Sequence, residues 1–267
     1  MSLVIGQTRL MQTLDSYNLD TLPKAMLFSG PKGCGKHFVA RTLANSIGLT
    51  YKDLDAGISA EELLDYTYST IHTLYVADLD SLSEKQQNSL LKFIEEPSNT
   101  VFVVLTTSAP ARVLSTILNR CVKHTFEDYS KEELAQILNK TIDDNMLAVF
   151  KTPGKLKMLT DKSFADTMML AEKIALGDRP QNYGQYLVLL TKVNFKDFYD
   201  KVDFDLLLDA VEYVAFNHYI TAASLRSLKV FQITNKFKQY AVQSTIIREM
   251  LMVNYLTQLW EVPDETV

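Results

Sequence analysis

Residues 30–46 read GPKGCGKHFVARTLANS, and no other segment narrows the possible folds as much. Gly30-x4-Gly35-Lys36 has the spacing of a phosphate-binding loop. Its flanks supply the context that the motif requires. Before it, AMLFSG (25–30) reads as a buried apolar strand; after it, Phe38 to Ile47 has helical spacing through Val39, Leu43 and Ile47. The glycines let backbone N–H groups turn toward an anion, and the new helix directs the positive end of its dipole there. Lys36 would neutralise β- and γ-phosphate charge. The candidate nucleotide contacts are therefore Gly30, Pro31, Lys32, Gly33, Cys34, Gly35, Lys36 and His37. A glycine-rich strand-to-helix turn with an exposed lysine is the plain alternative.

The loop departs from an active site at its last position. A hydroxyl residue normally follows the lysine and offers its oxygen to Mg²⁺, a hard ion that prefers oxygen in octahedral geometry. Here that residue is His37, bulkier and without a side-chain oxygen. It either packs beside the loop, faces solvent, or serves a softer metal. A second departure lies in YVADLDSLS (75–83). Asp78 ends the apolar run, where a carboxylate can hold Mg²⁺ through water. The next position, which would orient the attacking water, is Leu79. Asp80 would share a face with Asp78 only if the strand continued through the turn. Losing a general base typically costs roughly 10²–10⁴-fold in rate. The two defects together predict a chain without significant ATPase of its own, with ATP or ADP bound weakly or not at all and Mg²⁺ present only with nucleotide.

The rest of the first 126 residues alternates helices and buried strands. TLYVADLD (73–80) and TVFVVLTTS (100–108) are strands. SEKQQNSLLKFIEEP (83–97) is a helix with Ser83 and Gln86 in a capping box, an apolar face of Leu90, Leu91 and Ile94, and Pro97 as its stop. Near-continuous apolar strands separated by helices imply a parallel sheet covered on both faces. Beyond Phe126 the pattern turns helical, at 130–142, 153–159, 163–176, 185–193, 203–219, 222–241 and 244–261, with GDRPQNYG (177–184) composed like a boundary. The predicted organisation is an α/β domain over 1–126, a small helical domain over 127–178 and an all-helical domain over 179–267.

Composition sets outer limits. Hydrophobic residues make up 47% of 267, ample for a core, and a net charge of −5 argues against a surface dedicated to nucleic acid. Cys34 and Cys121 are the only cysteines, too few for a four-cysteine zinc site and typical of a reducing compartment. No apolar run approaches the roughly 20 residues that cross a bilayer, so a soluble cytoplasmic protein is expected. The last helices are rich in aromatics: Tyr213, Phe216, Tyr219, Phe231, Phe237, Tyr240, Tyr255 and Trp260. These serve as core or as a stripe for neighbouring subunits. Lys229, Lys236, Lys238 and Arg248 read as a solvated helix face.

SLSEKQQNSLLKFIEEPSNTVFVVLTTS followed by STILNRC closely resembles the clamp-loader branch of AAA+ proteins. The combination of Asn88, Leu90, Leu91, Lys92, Glu95, Glu96 and Pro97 carries that resemblance. VIGQTRL and LPKAMLFSGPKGCGK resemble the family's opening, TPGKLKML its second-domain signature and, more weakly, STIIREMLMVNYLTQL its last helix. The incomplete phosphate loop, Leu79 after Asp78 and the retained Arg120-Cys121 look most like delta-prime-type subunits of DNA polymerase III clamp loaders, of cellular or phage origin. The fold implied is an AAA+ P-loop α/β domain with a helical lid and a C-terminal helical collar.

The resemblance also implies a role: membership of a five-subunit ring that uses ATP to open a sliding clamp and place it on primed DNA. Arg120 falls at the position whose guanidinium reaches the γ-phosphate held by the neighbour, although Asn119 replaces the family's serine. Thr106 and Thr107 fall at a γ-phosphate sensor position or simply cap their strand. Lys155 matches a second-domain sensor or is a solvated lysine. The interval from Phe38 to Ala77 contains no cysteine, so the zinc module of many such subunits is not expected. The partners implied are gamma/tau-like and delta-like subunits, the clamp and primed DNA. An active AAA+ ATPase, and an AAA+ adaptor in recombination or repair, are the competing expectations.

Overall fold

The computed structural model describes residues 4–54, 65–66, 70–95, 98–177, 203–241 and 248–262. They form two compact units, one from 1–142 with 151–155 and the other from 143–150 with 156–267. In chain order the first unit has α1 (Thr8–Asp15), β1 (Ala25–Ser29), α2 (Lys36–Ile47), β2 (Thr50–Asp53), β3 (Thr73–Asp78), α3 (Glu84–Glu95), β4 (Val101–Thr107), α4 (Ser115–Leu118), β5 (Val122–Thr125) and α5 (Lys131–Leu138). Helices α6 (Asp144–Val149), α7 (Pro153–Lys157), α8 (Asp161–Leu176), α9 (Phe204–Ala222), α10 (Leu225–Ala241) and α11 (Arg248–Trp260) follow.

The five strands make one sheet in the order β2-β3-β4-β1-β5, and every pairing is parallel. The three strands legible in the sequence are the three central ones. β1 and β4 are buried at every residue, and β3 at all but its last. Side chains on both faces must then be apolar, which erases the alternation of a half-exposed strand. One face packs on α1 and α2 through Leu14, Phe28, Val39, Leu43 and Phe102. The other packs on α3 and α4 through Leu27, Leu90, Phe93, Val103 and Ile117. The two unforeseen strands, β2 (TYKD) and β5 (VKHT), are the edges, short and largely exposed. Polar edge strands leave no apolar run to recognise, and they discourage pairing with other chains. The capping box of α3 forms as expected, with Ser83 N–H on Gln86 Oε1 at 2.8 Å and Gln86 N–H on Ser83 Oγ at 3.4 Å.

On β5, His124 lies opposite Phe28 in register, its ring edge-on to Phe28 at 5.7 Å and to Tyr17 at 6.3 Å. It is only 7% exposed, and its Nε2 has no hydrogen-bond partner among the described residues. Burial lowers its pKa from the ordinary 6.5. The sign follows directly. Below the ordinary value the unfolded chain binds a proton that the native imidazole resists, so acidification favours unfolding; above it both states are neutral and the effect vanishes. Urea denaturation should therefore show the parent losing stability relative to His124→Leu from about pH 7.5 to about pH 5.5. A difference constant across that interval would contradict this account of His124.

In the second unit α9 packs against both α8 and α10, and α11 against α10. Residues Leu206 to Val211 of α9 are buried without a break, the mark of a helix covered on all sides. Among the aromatics, Phe237 and Tyr255 are core, and Tyr255 exchanges a hydroxyl hydrogen bond with Thr234 at 2.7 Å. Phe216 remains 44% exposed. The side chains of Tyr240, Arg248 and Trp260, and the segments 178–202 and 242–247 that include the expected boundary and one expected helix, lie outside the described residues. Lys238 corrects the sequence reading of a solvated lysine: its ammonium pairs with buried Asp209 at 2.7 Å and with Glu212, which Asn235 also contacts. Burial alone would lower the Lys238 pKa, but Asp209 and Glu212 more than offset this and hold it above the usual value. A carboxylate on the covered side of α9 needs such a counter-charge.

Candidate functional site

In an open parallel sheet, ligands bind beyond the carboxyl ends of the strands. The loop after β1, Asp78 at the end of β3 and Thr106–Thr107 at the end of β4 all lie there, because β4 sits between β1 and β3. Gly33 and Gly35 take φ of 84° and 98°, left-handed values that glycine alone adopts freely. Gly35 is the N-cap of α2, and Lys36 is its first residue.

The loop's carbonyl groups are tied down one after another. Lys36 Nζ, on a residue 9% exposed, donates to Gly30 O at 2.6 Å and to Pro31 O at 3.1 Å. Thr152 Oγ1 donates to Lys32 O at 3.0 Å, Gly154 N–H to Gly33 O at 2.9 Å and the Tyr129 hydroxyl to Cys34 O at 2.7 Å. Burial, with Cys34 beside it, pushes the Tyr129 phenol up to about 12, so it stays a donor. Burial also raises the Cys34 thiol, against the pull of Lys36. The approach of Gly154 is close: a Cβ there would lie 2.8 Å from Gly33 Cα, and a Cβ on Gly33 would lie 2.9 Å from Thr152 Oγ1. Sequence reasoning missed Tyr129 and Thr152; TPGK, which ends in Lys155, was the only local signal. Lys155 follows the Gly33–Gly154 contact directly.

His37 is exposed, its side chain 48% accessible, but its ring nitrogens have partners. Its Nδ1 meets Asp53 Oδ1 at 3.2 Å and its Nε2 meets Thr106 Oγ1 at 3.3 Å. Thr106 in turn donates to Asp78 Oδ1 at 3.3 Å. Asp53, on edge strand β2, also accepts from the Tyr51 hydroxyl at 2.5 Å and lies 3.5 Å from Arg41. The imidazole thus bridges β2 and β4 beside the carboxylate of β3. Asp80 does not share a face with Asp78. The chain turns into a short 3-10 helix at Leu79–Ser81, and Asp80 accepts from Thr107 Oγ1 and Ser108 N–H, both at 2.7 Å. Leu79, at the position after Asp78, is 2% exposed and belongs to the core.

These groups suit an anion better than a metal. Two left-handed glycines, a helix start and a lysine make a phosphate cradle. For Mg²⁺ the fit fails: residue 37 brings nitrogen instead of a hydroxyl oxygen, and Asp78 Oδ1 already accepts from Thr106 and from Asp80 N–H at 3.3 Å. Arg120 lies apart from this cluster, after α4. Its Nη2 pairs with Glu95 Oε1 at 2.7 Å and its Nη1 donates to Thr116 O at 2.8 Å. Burial pushes the neighbouring Cys121 thiol up to about 11.

A phosphate loop leading from an inner strand of an all-parallel sheet, with an acid ending the strand two places away and a helical region following, defines the P-loop class of the AAA+ type. A DNA polymerase III gamma-subunit-related protein from Thermotoga maritima shares the fold, with TM-score 0.51 over 96% of this chain and 98% of that one at 15% identity. The family model described as DNA polymerase III, delta subunit, matches residues 63–130. DNA polymerase III subunit delta' of Bacillus subtilis is 27% identical over 190 residues, 58% of this chain and 55% of that protein. The replication factor C small subunit of Methanococcus vannielii is 24% identical over 56% of this chain and 53% of its own. The chain spans about half the length of these curated relatives. These similarities all point to clamp-loader subunits of the AAA+ type.

Proposed function

We propose that the chain is a non-hydrolysing subunit of a clamp loader in DNA replication, acting beside ATPase subunits in the cytoplasm. One observation carries this reading: His37 fills the magnesium-ligand position and is held there by Asp53 and Thr106, while buried Leu79 replaces the water-orienting acid. Lys36 spends two of its three donors on loop carbonyls, which leaves at most one for a phosphate unless those contacts break. Nucleotide binding is accordingly weak or absent, Mg²⁺ has no step here, and Thr107 supports the β4 turn rather than sensing a phosphate. Arg120, 39% exposed and anchored at two points, serves a site outside this chain on this reading. There the guanidinium neutralises charge spreading over the transferred phosphoryl of a neighbour's ATP. The partners are gamma/tau-like and delta-like subunits in a five-membered ring, a sliding clamp and primed DNA. Residues 127–178 serve as lid and 179–267 as collar.

Affinity purification of the tagged full chain from its host tests the assembly. The expected co-purifying proteins are AAA+ ATPases of the replicative polymerase and a ring-shaped clamp. Recovery of recombination or repair proteins in their place would overturn the proposal.

A further inference from the structure

Resting on the reading of Arg120 as a trans-acting group, we infer that Glu95 is its positioning residue, fixing the guanidinium before the neighbour's phosphate arrives. Glu95 closes α3, and Arg120 follows α4. The guanidinium is planar with five N–H donors. One is taken by Glu95 Oε1 at 2.7 Å and one by Thr116 O at 2.8 Å. Two anchors from two helices set both the place and the plane of the group, and among the described residues three donors remain for an anion.

Stability does not account for this arrangement. The two side chains are 39% and 40% exposed, and ion pairs so open to water contribute little to folding. A carboxylate at the last residue of a helix faces the negative end of the dipole, the unfavourable end for an anion. The helix dipole therefore does not favour Glu95 there, whereas its contact with Arg120 does. A free arginine must surrender several rotamers to reach a single geometry, whereas a held one has already done so. Pre-ordering of this kind acts on rate, because catalytic groups lose efficiency steeply when misplaced.

A double-mutant cycle in the complex reconstituted with its ATPase partners tests the inference. Glu95→Ala should lower kcat for ATP by about tenfold with KM unchanged, and Glu95→Gln, which keeps an acceptor oxygen without the charge, should lower it less. Both variants should assemble as the parent does. In an Arg120→Ala background, Glu95→Ala should have no further effect, since an orienting group has nothing left to orient. Parent-like kcat in Glu95→Ala, with Arg120→Ala slow, would overturn the inference and leave the reading of Arg120 intact. Additional slowing in the double variant would overturn it too, by showing that Glu95 acts elsewhere. If Arg120→Ala itself has no effect, both fall.

Discussion

If Arg120 acts in trans as proposed, replacing it by alanine should leave the complex assembled and slow hydrolysis at the adjoining ATP site by about 10³-fold or more, the range typical of arginines supplied to a neighbour's phosphoryl group. Assembly should survive because, among the described residues, the polar contacts of Arg120 are with Glu95 and Thr116, both at the surface of its own unit. Total turnover should fall by the share that one site supplies, and single-turnover kinetics would resolve that site as a missing fast phase. Arg120→Lys should not restore it: an ammonium keeps the charge but cannot present a planar fork while also holding Glu95 and Thr116. Turnover indistinguishable from the parent would remove the trans role from this residue.

How much of this was legible beforehand divides along physical lines. The glycines, Lys36, Asp78 and the capping box of α3 lie in contiguous stretches whose chemistry is local, and the structure has Gly33 and Gly35 left-handed, Lys36 at the start of α2, Asp78 at the end of β3 and the Ser83–Gln86 pair at the start of α3. The central strands announced themselves by being apolar throughout. The edge strands did not, because Thr50–Asp53 and Val122–Thr125 are polar and short. The locking of the phosphate loop was invisible for another reason. Tyr129 and Thr152 reach it from about a hundred residues away, with separations of 95 for Tyr129 to Cys34 and 120 for Thr152 to Lys32. His37 shows the same limit. Its identity revealed what was lost, an oxygen ligand, but only the fold brings Asp53 and Thr106 to its two nitrogens. Lys238 was misread because a lysine on a helix is usually solvated, and nothing near it in sequence announces Asp209 on α9.

The central claim is that this site has kept an anion cradle while filling the metal's place and losing the water's acid. Restoring only one of the two defects should achieve little, because each alone would cost orders of magnitude; general-base loss by itself accounts for roughly 10²–10⁴-fold. The most direct test is phosphate release by the purified chain alone, with ATP and Mg²⁺ in excess and Lys36→Ala as its control. The expected result is release no faster than that of the Lys36→Ala variant. Steady release by the isolated chain that Lys36→Ala abolishes would contradict the claim.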